Sequence, residues 1–329
     1  MSKFFDEVKQ QPEAIRKTIA LNKESTLKGE KPLLFTGMGS SLAASELLVS
    51  YLGSHGIRAS AIDNSELLYY YPDTFFQKHD VVVTSQSGES YEAKELAKRY
   101  SVSAITNTPG SSLDKESVHA YYTDAGKEEA IASSKSFTTT VTLMLLLGSK
   151  LAGKDLTSDL VKTAEVLEEN LAKADDIQQL IGSFIDPTRP LMLLGRGPSV
   201  TTTRQGSLTL KETARIYAEG MSAPLFRHGP FELLEENLQA IFFNPKGVTY
   251  ERNKDYVFEL VQRGAKVLYV ADEPLEHENI QSVVMDSVNE YCSVIPYSFV
   301  IQMAAVILSE QRGLTAGEAK VITKITGKE

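Results

Sequence analysis

The chain has little of several features that assign a protein to a well-known class. Its 329 residues include a single cysteine, Cys292, which excludes an internal disulfide framework and a cysteine-rich zinc site. Acidic residues outnumber basic ones by 43 to 34, so the net charge is −9 and a global basic footprint for nucleic acid is absent. Any site for an anion must therefore be local.

Long apolar runs and targeting signals are also scarce. The first residues, MSKFFDEVKQ, lack the apolar core of a signal peptide. Elsewhere the apolar stretches are too short, or too rich in polar residues, to cross a bilayer. With 42% hydrophobic residues the chain can still form a sizeable core. We expect a soluble, cytoplasmic protein without nucleic-acid or membrane partners.

The two halves of the chain repeat one design. Gly37, Gly39 and Ser41 follow a short apolar run, and the same pattern returns 158 residues later as Gly195, Gly197 and Ser199. Further apolar segments recur near that offset: 80–88 with 238–247, 102–110 with 265–274, and 136–153 with 298–313. This repetition predicts two similar domains.

Runs of Val, Ile and Leu in each half are typical of strands that are buried on both faces. Stretches with helical spacing, such as 40–53 and 90–101, lie between these runs. Because alternating strands and helices indicate a parallel sheet covered by helices, we expect an α/β protein with two tandem doubly wound parallel-sheet domains.

The domain boundaries are predicted from the same pattern. Pro12 suits the first turn of an N-terminal helix, and Pro187 marks the end of a helical pattern that begins at Thr157 or Ser158. We place five parts: an N-terminal helical segment at 1–30, a first domain at 31–156, a connecting helix at 157–186, a second domain at 187–315, and a C-terminal tail at 316–329.

Residues 81–90, VVVTSQSGES, combine a predicted strand with a cluster of hydroxyl groups. Ligands of open α/β sheets bind outside the carboxyl ends of the strands, and a helix N-terminus offers free N–H groups there. Ser85, Ser87 and Ser90 add short donors, and Gly88 allows a close approach of the backbone. The pattern predicts an anion cradle suited to phosphate, although such clusters more often serve as plain turns and helix caps.

The glycine pattern of the first loop disfavours a nucleotide. Leu42 occupies the place of the third glycine of a dinucleotide fingerprint, and the chain has no Gly-Lys-Ser/Thr of a Walker A loop. The turn Gly39-Ser40-Ser41 is a candidate second wall of the cradle. A compact phosphate, such as that of a sugar phosphate, fits these loops better than a nucleotide.

The second half lacks the hydroxyl cluster and carries NPKG at 244–247 instead. It contributes Glu212, predicted in the middle of a helix, and His228, predicted in a turn. A carboxylate and an imidazole are the groups that move protons between adjacent carbons. From the residues alone, a helical glutamate of this kind is normally solvent-facing and a histidine before Gly-Pro is normally a turn residue.

Four motifs, in this order, resemble the SIS (sugar isomerase) domain family: SQSGES at 85–90, GKEEAIASSKSFTTT at 126–140, LTLKE at 208–212 and RHGP at 227–230. The resemblance covers nearly the whole chain. Within the family, the motifs resemble in particular the isomerase half of glucosamine-6-phosphate synthase. They also resemble its stand-alone relatives, the fructosamine-6-phosphate deglycases and amino-sugar-phosphate deaminases.

The resemblance implies roles for particular residues. Glu212 matches the base that transfers a proton between C1 and C2 of the sugar, and His228 matches a histidine linked to ring opening. In the family that histidine comes from the neighbouring subunit, which implies a homodimer with shared active sites. Lys324 loosely matches a lysine that approaches the sugar carbonyl. The implied sugar- and phosphate-binding residues are Ser40, Ser41, Ser85, Gln86, Ser87, Ser90 and Ser133.

Two departures from the synthase favour breakdown of an amino sugar over its synthesis. The chain begins at Met1-Ser2 and runs directly into the sugar-binding half, without the amidotransferase domain of the synthase. Thr209 stands where the synthase has a lysine three residues before the base. We therefore expect a deglycase or deaminase that acts on a 6-phosphorylated amino sugar or fructosamine.

Two other functions stay open at the level of sequence. The same site suits a phosphosugar aldose–ketose isomerase, and SIS domains also serve as non-catalytic sugar-phosphate sensors. No metal or other cofactor is implied, because nothing in the sequence resembles a cluster of metal ligands.

Overall fold

A computed structural model describes residues 2–27, 29–236, 238–321 and 323–324. The chain divides into two compact units. The first unit comprises Glu13–Glu129, Ser133–Val161 and the residues from Val321 onward. The second unit comprises Met1–Pro12, Ala130–Ala132 and Lys162–Lys320.

Two helices precede the first sheet, α1 (Lys3–Val8) and α2 (Gln11–Leu21). Ser2 caps α1, since its hydroxyl oxygen accepts a hydrogen bond from the Phe5 N–H. Pro12 lies in the first turn of α2, where its missing N–H costs no helical hydrogen bond.

The first unit is built on a five-stranded parallel sheet in the order β2-β1-β3-β4-β5. Its strands are β1 (Leu33–Gly37), β2 (Ala59–Asp63), β3 (Asp80–Thr84), β4 (Val102–Thr106) and β5 (His119–Tyr122). Its helices are α3 (Ser40–Ser54), α4 (Asn64–Tyr70), α5 (Asp73–Phe76), α6 (Tyr91–Arg99), α7 (Ser112–Glu116) and α8 (Lys135–Leu151). The apolar runs of β1 and β3 are buried, as expected of central strands.

The segment predicted as one connecting helix forms two helices, α9 (Thr157–Leu171) and α10 (Ala174–Phe184). The single-helix prediction is wrong because the apolar spacing fails between Leu171 and Ile177, which are six residues apart. Asp175 and Asp176 then occupy the first turn of α10, where carboxylates favour the start of a new helix.

The second unit contains a second five-stranded parallel sheet, in the order β10-β9-β8-β6-β7. Its strands are β6 (Leu191–Gly195), β7 (Ala218–Ser222), β8 (Gln239–Asn244), β9 (Lys266–Ala271) and β10 (Ile280–Val284). The later helices are α11 (Ser199–Thr213), α12 (Ala223–Arg227), a 3-10 helix at Pro230–Glu236, α13 (Tyr250–Gln262) and α14 (Val294–Gln311).

The two sheets have the same topology. The first strand of each sheet pairs with the second strand on one side and with the third on the other, so the strand order reverses between β1 and β3 and between β6 and β8. The prediction of two doubly wound parallel-sheet domains is confirmed. Ligands of such sheets bind in the crevice at the point of reversal, outside the carboxyl ends of the strands.

By length and composition, α14 is apolar enough to span a membrane, but most of its residues are buried. It packs against α10 and α11 as a core helix of the second unit. In the first unit, α8 packs in a comparable way against α3.

The contact between α3 and α8 depends on a glycine. A Cβ atom added at Gly148 would lie 2.4 Å from Leu48 Cδ1, so a side chain at this position must displace the buried Leu48 side chain. We predict that Gly148→Val lowers the free energy of unfolding by about 1–3 kcal/mol. Gly53→Ala is the matched control, because a Cβ at Gly53 in α3 meets nothing within 4 Å. We expect the control to be neutral or more stable by up to about 1 kcal/mol; equal denaturation midpoints for the two variants would contradict this packing.

Candidate active site

The predicted hydroxyl cradle and the first serine loop lie at the strand reversal of the first unit. Pairing of Thr36 with Val83 places the ends of β1 and β3 at the same level of the sheet. Ser40 and Ser41 open α3 directly after β1, while residues 85–90 connect β3 to α6. Both loops therefore border the crevice in which open α/β sheets bind ligands.

The hydroxyl groups of the cradle loop, residues 85–90, converge on the start of α6. Ser85 Oγ lies 3.3 Å from Ser90 Oγ and accepts a hydrogen bond from the Gly88 N–H at 3.2 Å. Ser87 Oγ accepts from the Glu89 N–H at 3.1 Å. Ser90 is the N-cap residue of α6, yet its side chain makes no capping bond. The loop thus holds its own shape, while the Ser87 hydroxyl proton and one proton of the Ser85–Ser90 pair stay available to an anion at a helix N-terminus.

Gly88 is required by the loop itself. Its φ of +64° lies in the left-handed region, and an added Cβ would lie 2.1 Å from Ser111 Oγ. The close approach expected at this glycine is therefore an approach to Ser111 of the neighbouring loop.

Glu89 is the acidic residue of the cradle loop, and its charge is engaged outside the cradle. Its carboxylate accepts hydrogen bonds from the N–H and the hydroxyl of Ser112, at 2.8 and 2.9 Å. These two bonds, with Lys94 Nζ at 3.9 Å, hold the pKa of Glu89 below its usual value. An anion in the cradle thus meets a carboxylate that already has partners.

Asn107, just after β4, joins the cradle loop to the segment that follows β5. Its N–H donates to the carbonyl of Gln86 at 3.1 Å. Its side-chain amide donates to the Gly126 carbonyl and accepts from the Ala125 N–H, at 2.8 and 2.7 Å. Among the residues that the structure describes, the side chain of Gln86 has no hydrogen-bond partner, and it remains available to a ligand.

Glu128, which was not predicted as a site residue, organises the loop before α8. This carboxylate is fully buried, and its oxygens accept hydrogen bonds from the N–H and hydroxyl groups of both Ser134 and Ser136. Ser134 is the N-cap of α8 without a side-chain capping bond, so Glu128 supplies the capping acceptor from outside the helix. Ser133 adjoins this cap, and no described residue hydrogen-bonds to its hydroxyl.

Lys324 of the C-terminal tail also binds Glu128, with Nζ 2.9 Å from Oε2. Burial alone raises the pKa of Glu128, but the Lys324 charge and the serine hydrogen bonds outweigh it, so the pKa is lowered. Because the pKa is lowered, the interaction contributes its full stabilisation at pH values above the usual pKa of a carboxyl group. This stabilisation is lost as the pH falls through the lowered pKa of Glu128. The first unit thereby brings Lys324 to the same loop as Ser133.

Glu212 lies in the second unit, in the last turn of α11. The prediction of a mid-helix position is wrong, because Arg215 has a left-handed φ of +52° and the chain turns there into β7. Thr209, one turn earlier, is buried, and its hydroxyl accepts a hydrogen bond from Gln205 Nε2 at 3.2 Å.

His228 is the exposed C-cap residue of α12, in the second unit, as its turn sequence predicts. Leu225 and Leu233 nearby in sequence are also exposed, at 63% and 44%. Histidine and apolar side chains therefore share one exposed segment of the second unit.

Within the described parts of the chain, no three His, Cys, Asp or Glu side chains are grouped as a metal site requires. The site residues predicted from sequence therefore fall into two sets. The serines, Gln86 and Lys324 belong to loops of the first unit, and Glu212 and His228 belong to the second unit.

Comparison with known proteins identifies the class to which this fold and these loops belong. The model of the SIS domain matches residues 26–150 and 185–308, one segment for each sheet. The chain belongs to the SIS domain family. It is also 30% identical over 330 residues to the isomerizing glutamine–fructose-6-phosphate aminotransferase of Thermococcus kodakarensis, covering 93% of this chain and 55% of that protein. The chain thus spans about half the length of the curated relatives it matches.

Solved structures share the fold. The C-terminal domain of glucosamine-fructose-6-phosphate aminotransferase from Francisella tularensis superposes with a TM-score of 0.86 at 23% identity, covering 96% of this chain and 98% of that one. Tagatose-6-phosphate ketose/aldose isomerase from Escherichia coli gives 0.81 at 21% identity, with 98% and 96% covered. Glucosamine-6-phosphate deaminase from Thermotoga maritima gives 0.78 at 24% identity, with 98% and 99% covered.

The buried pair of Glu128 and Lys324 generates a prediction about the C-terminal tail. Glu128→Gln removes the charge partner of Lys324 while preserving the shape of the side chain, and we expect a loss of about 2–3 kcal/mol in unfolding free energy. Hydrogen exchange of the peptide that contains Lys324 should accelerate. Glu129→Gln is the control, since the pair of Glu129 with Lys127 is exposed and worth little. Unchanged exchange in Glu128→Gln would refute the anchoring role.

Proposed function

We propose that the protein is a phosphosugar enzyme of the SIS isomerase type, which acts on a 6-phosphorylated amino sugar or fructosamine in the deglycase or deaminase direction. The single observation that carries the proposal is the hydroxyl cradle at the strand reversal of the first unit. Ser85, Ser87 and Ser90 converge on a helix N-terminus, where a phosphate dianion receives charge-assisted hydrogen bonds.

In this proposal the phosphate anchors the substrate, and Ser40, Ser41, Gln86 and Ser133 contact the phosphate or the sugar. Binding at this remote group positions C1 and C2 for reaction, which lowers the entropic part of the barrier. The proposal is consistent with the Gln86 side-chain amide and the Ser133 hydroxyl, which form no hydrogen bond with any described residue.

Glu212 is the proposed base. In a fructosamine 6-phosphate it removes a proton from C1 and returns it to C2, which converts the C2 carbonyl to a hydroxyl and leaves a C=N bond at C1. Water adds to that bond, and the amine leaves with an aldose 6-phosphate as the second product. For a 2-amino sugar the proton moves from C2 to C1, the C=N bond forms at C2, and ammonia leaves. His228 acts as general acid or base in ring opening, and Lys324 approaches the sugar carbonyl.

Thr209 supports the breakdown direction. The resemblance places a lysine of the synthase at this position, whereas here a buried threonine hydroxyl is hydrogen-bonded to Gln205. A cationic side chain one turn from the proposed base is thus replaced by a neutral one, so a synthase-like contact with the sugar oxygens is missing.

We predict that a panel of three sugars identifies the substrate by NMR in D₂O: glucosamine 6-phosphate, a fructose–amino acid 6-phosphate and fructose 6-phosphate. The reacting sugar should yield product with deuterium at C1 or C2, because the carbon-bound proton exchanges with solvent in the intermediate. Glu212→Gln should lower this rate at least about 100-fold while the sugar still binds. Glu219→Gln, an exposed acid in β7, is the matched control and should keep the wild-type rate.

The outcomes of the panel distinguish the proposed function from its alternatives. Exchange with fructose 6-phosphate alone supports an aldose–ketose isomerase in the same site. Binding without any exchange supports a sugar-phosphate sensor. If no sugar binds, the cradle is only a turn and the proposal fails.

We also propose a homodimer in which His228 serves the site of the second subunit. The exposed segment with Leu225, His228 and Leu233 supports this, since apolar side chains beside a histidine suit a contact with another chain. Glu212→Gln and His228→Asn should each be inactive alone. Mixed after unfolding and refolding together, they should recover about a quarter of the wild-type activity, because about half of the dimers are mixed and each has one intact site. No recovery despite dimer exchange would place both residues in one subunit.

A further inference from the structure

We propose that the second unit holds an anion site of its own, in which Arg196 and Arg252 bind the phosphate group of a small phosphorylated metabolite. The site is independent of the proposed function, which rests on the cradle of the first unit. One of its residues, Arg196, lies at the strand reversal of the second sheet, where the NPKG loop offers no hydroxyl cluster, and the others belong to α12 and α13.

The position of Arg196 follows from the sequence repeat. Arg196 comes directly after β6 and corresponds, at the offset of 158 residues, to Met38 after β1. The carboxyl end of β6 borders the reversal between β6 and β8, so this arginine stands where doubly wound sheets bind ligands. The second unit therefore has a guanidinium group at the edge of the sheet where the first unit has serine hydroxyl groups.

A cavity of about 270 Å³ opens beside this loop. Its volume lies just below the usual range of small-molecule sites and suits a compact ligand. The residues that line it are Arg196, Arg227, Arg252, Asp255, Tyr256 and Glu259.

Of the three arginines that line the cavity, Arg227 is held in place by other side chains. Arg227 binds Glu259 through both of its terminal nitrogens, and its guanidinium stacks over the rings of Phe231 and Tyr256. The Tyr256 hydroxyl in turn donates to the Ala223 carbonyl at 2.9 Å. The charges of Arg227 and Glu259 therefore balance each other and leave the remaining arginines to a ligand.

Among the residues that the structure describes, Arg196 and Arg252 lack such partners. Arg196 Nε is buried without a hydrogen-bond partner among the described residues. Burial, followed by the charges of Arg252 and Arg227, lowers the pKa of the Arg196 guanidinium. Arg252 is exposed and makes no hydrogen bond or ion pair within the described chain. A buried, unmatched donor and two like charges are unfavourable, and a bound anion relieves both.

The charge balance and geometry favour phosphate. Asp255 contributes one negative charge to the lining, so the two uncommitted arginines leave a net positive site. Guanidinium groups present paired N–H donors that match the oxygens of a phosphate. An apolar ligand is disfavoured because charged side chains make up most of the lining.

The test uses isothermal titration with inorganic phosphate, with fructose 6-phosphate and with citrate, at low ionic strength. All variants are made in a Ser85→Ala/Ser87→Ala background, so that the cradle of the first unit does not contribute. Arg252→Gln probes the site without a risk to folding, since Arg252 is exposed, and Arg196→Gln probes the buried donor. Lys266→Gln is the control, as it removes an exposed charge at the start of β9, the opposite edge of the sheet.

We expect phosphate binding to persist in the background protein and in Lys266→Gln, and to weaken at least tenfold in each arginine variant. Tighter binding of fructose 6-phosphate than of inorganic phosphate identifies a phosphorylated metabolite, and the reverse order identifies free phosphate. The inference is overturned if the background protein binds neither probe, if the arginine variants bind as the control does, or if citrate binds more tightly than both phosphates.

Discussion

Parallel pairing of the first and third strands of each sheet is the constraint on which the rest of the structure depends. Because β1 and β3 run side by side in the same direction, the loops that follow them must open at one edge of the sheet. The following helices begin at that edge and present unpaired N–H groups to it. The strand pairing alone therefore places hydroxyl groups that are distant in the sequence, such as those of Ser41 and Ser90, at the same edge of the sheet. No side-chain contact is needed for this.

A buried carboxylate adds the second element of order. Glu128 receives hydrogen bonds from both Ser134 and Ser136 and the charge of Lys324, so the loop before α8 and the C-terminal tail are fixed at one point. A buried carboxylate without partners is strongly unfavourable, so Glu128 requires the hydrogen bonds of Ser134 and Ser136 and the charge of Lys324. The arrangement makes the position of Ser133 depend on a residue almost two hundred positions away, which ties the loop before α8 to the tail.

This dependence on distant residues separates what sequence predicts from what it does not. The central buried strands and the hydroxyl cluster after β3 were predictable, because apolar runs and Ser-Gly clusters are local sequence patterns. The burial of Glu128 was not, since its partner Lys324 lies 196 residues away and the surrounding charges resemble a solvated surface. The end of α11 at Arg215 was likewise hidden, because a left-handed arginine is imposed by the turn into β7 and not by its own preference.

The two sheets have one topology but different chemistry at the edge where open α/β sheets bind ligands. In the proposed cradle of the first unit, the donors are hydroxyl and backbone groups without a fixed cation in the loop, so a bound anion would be held by directed hydrogen bonds and recognised by shape. In the proposed site of the second unit, Arg196 and Arg252 would supply charge, which attracts anions over a longer range and discriminates less among them. A duplicated fold can in this way divide selective and general anion binding between its halves, because the loops at the strand reversal vary while the buried strands that position them stay alike.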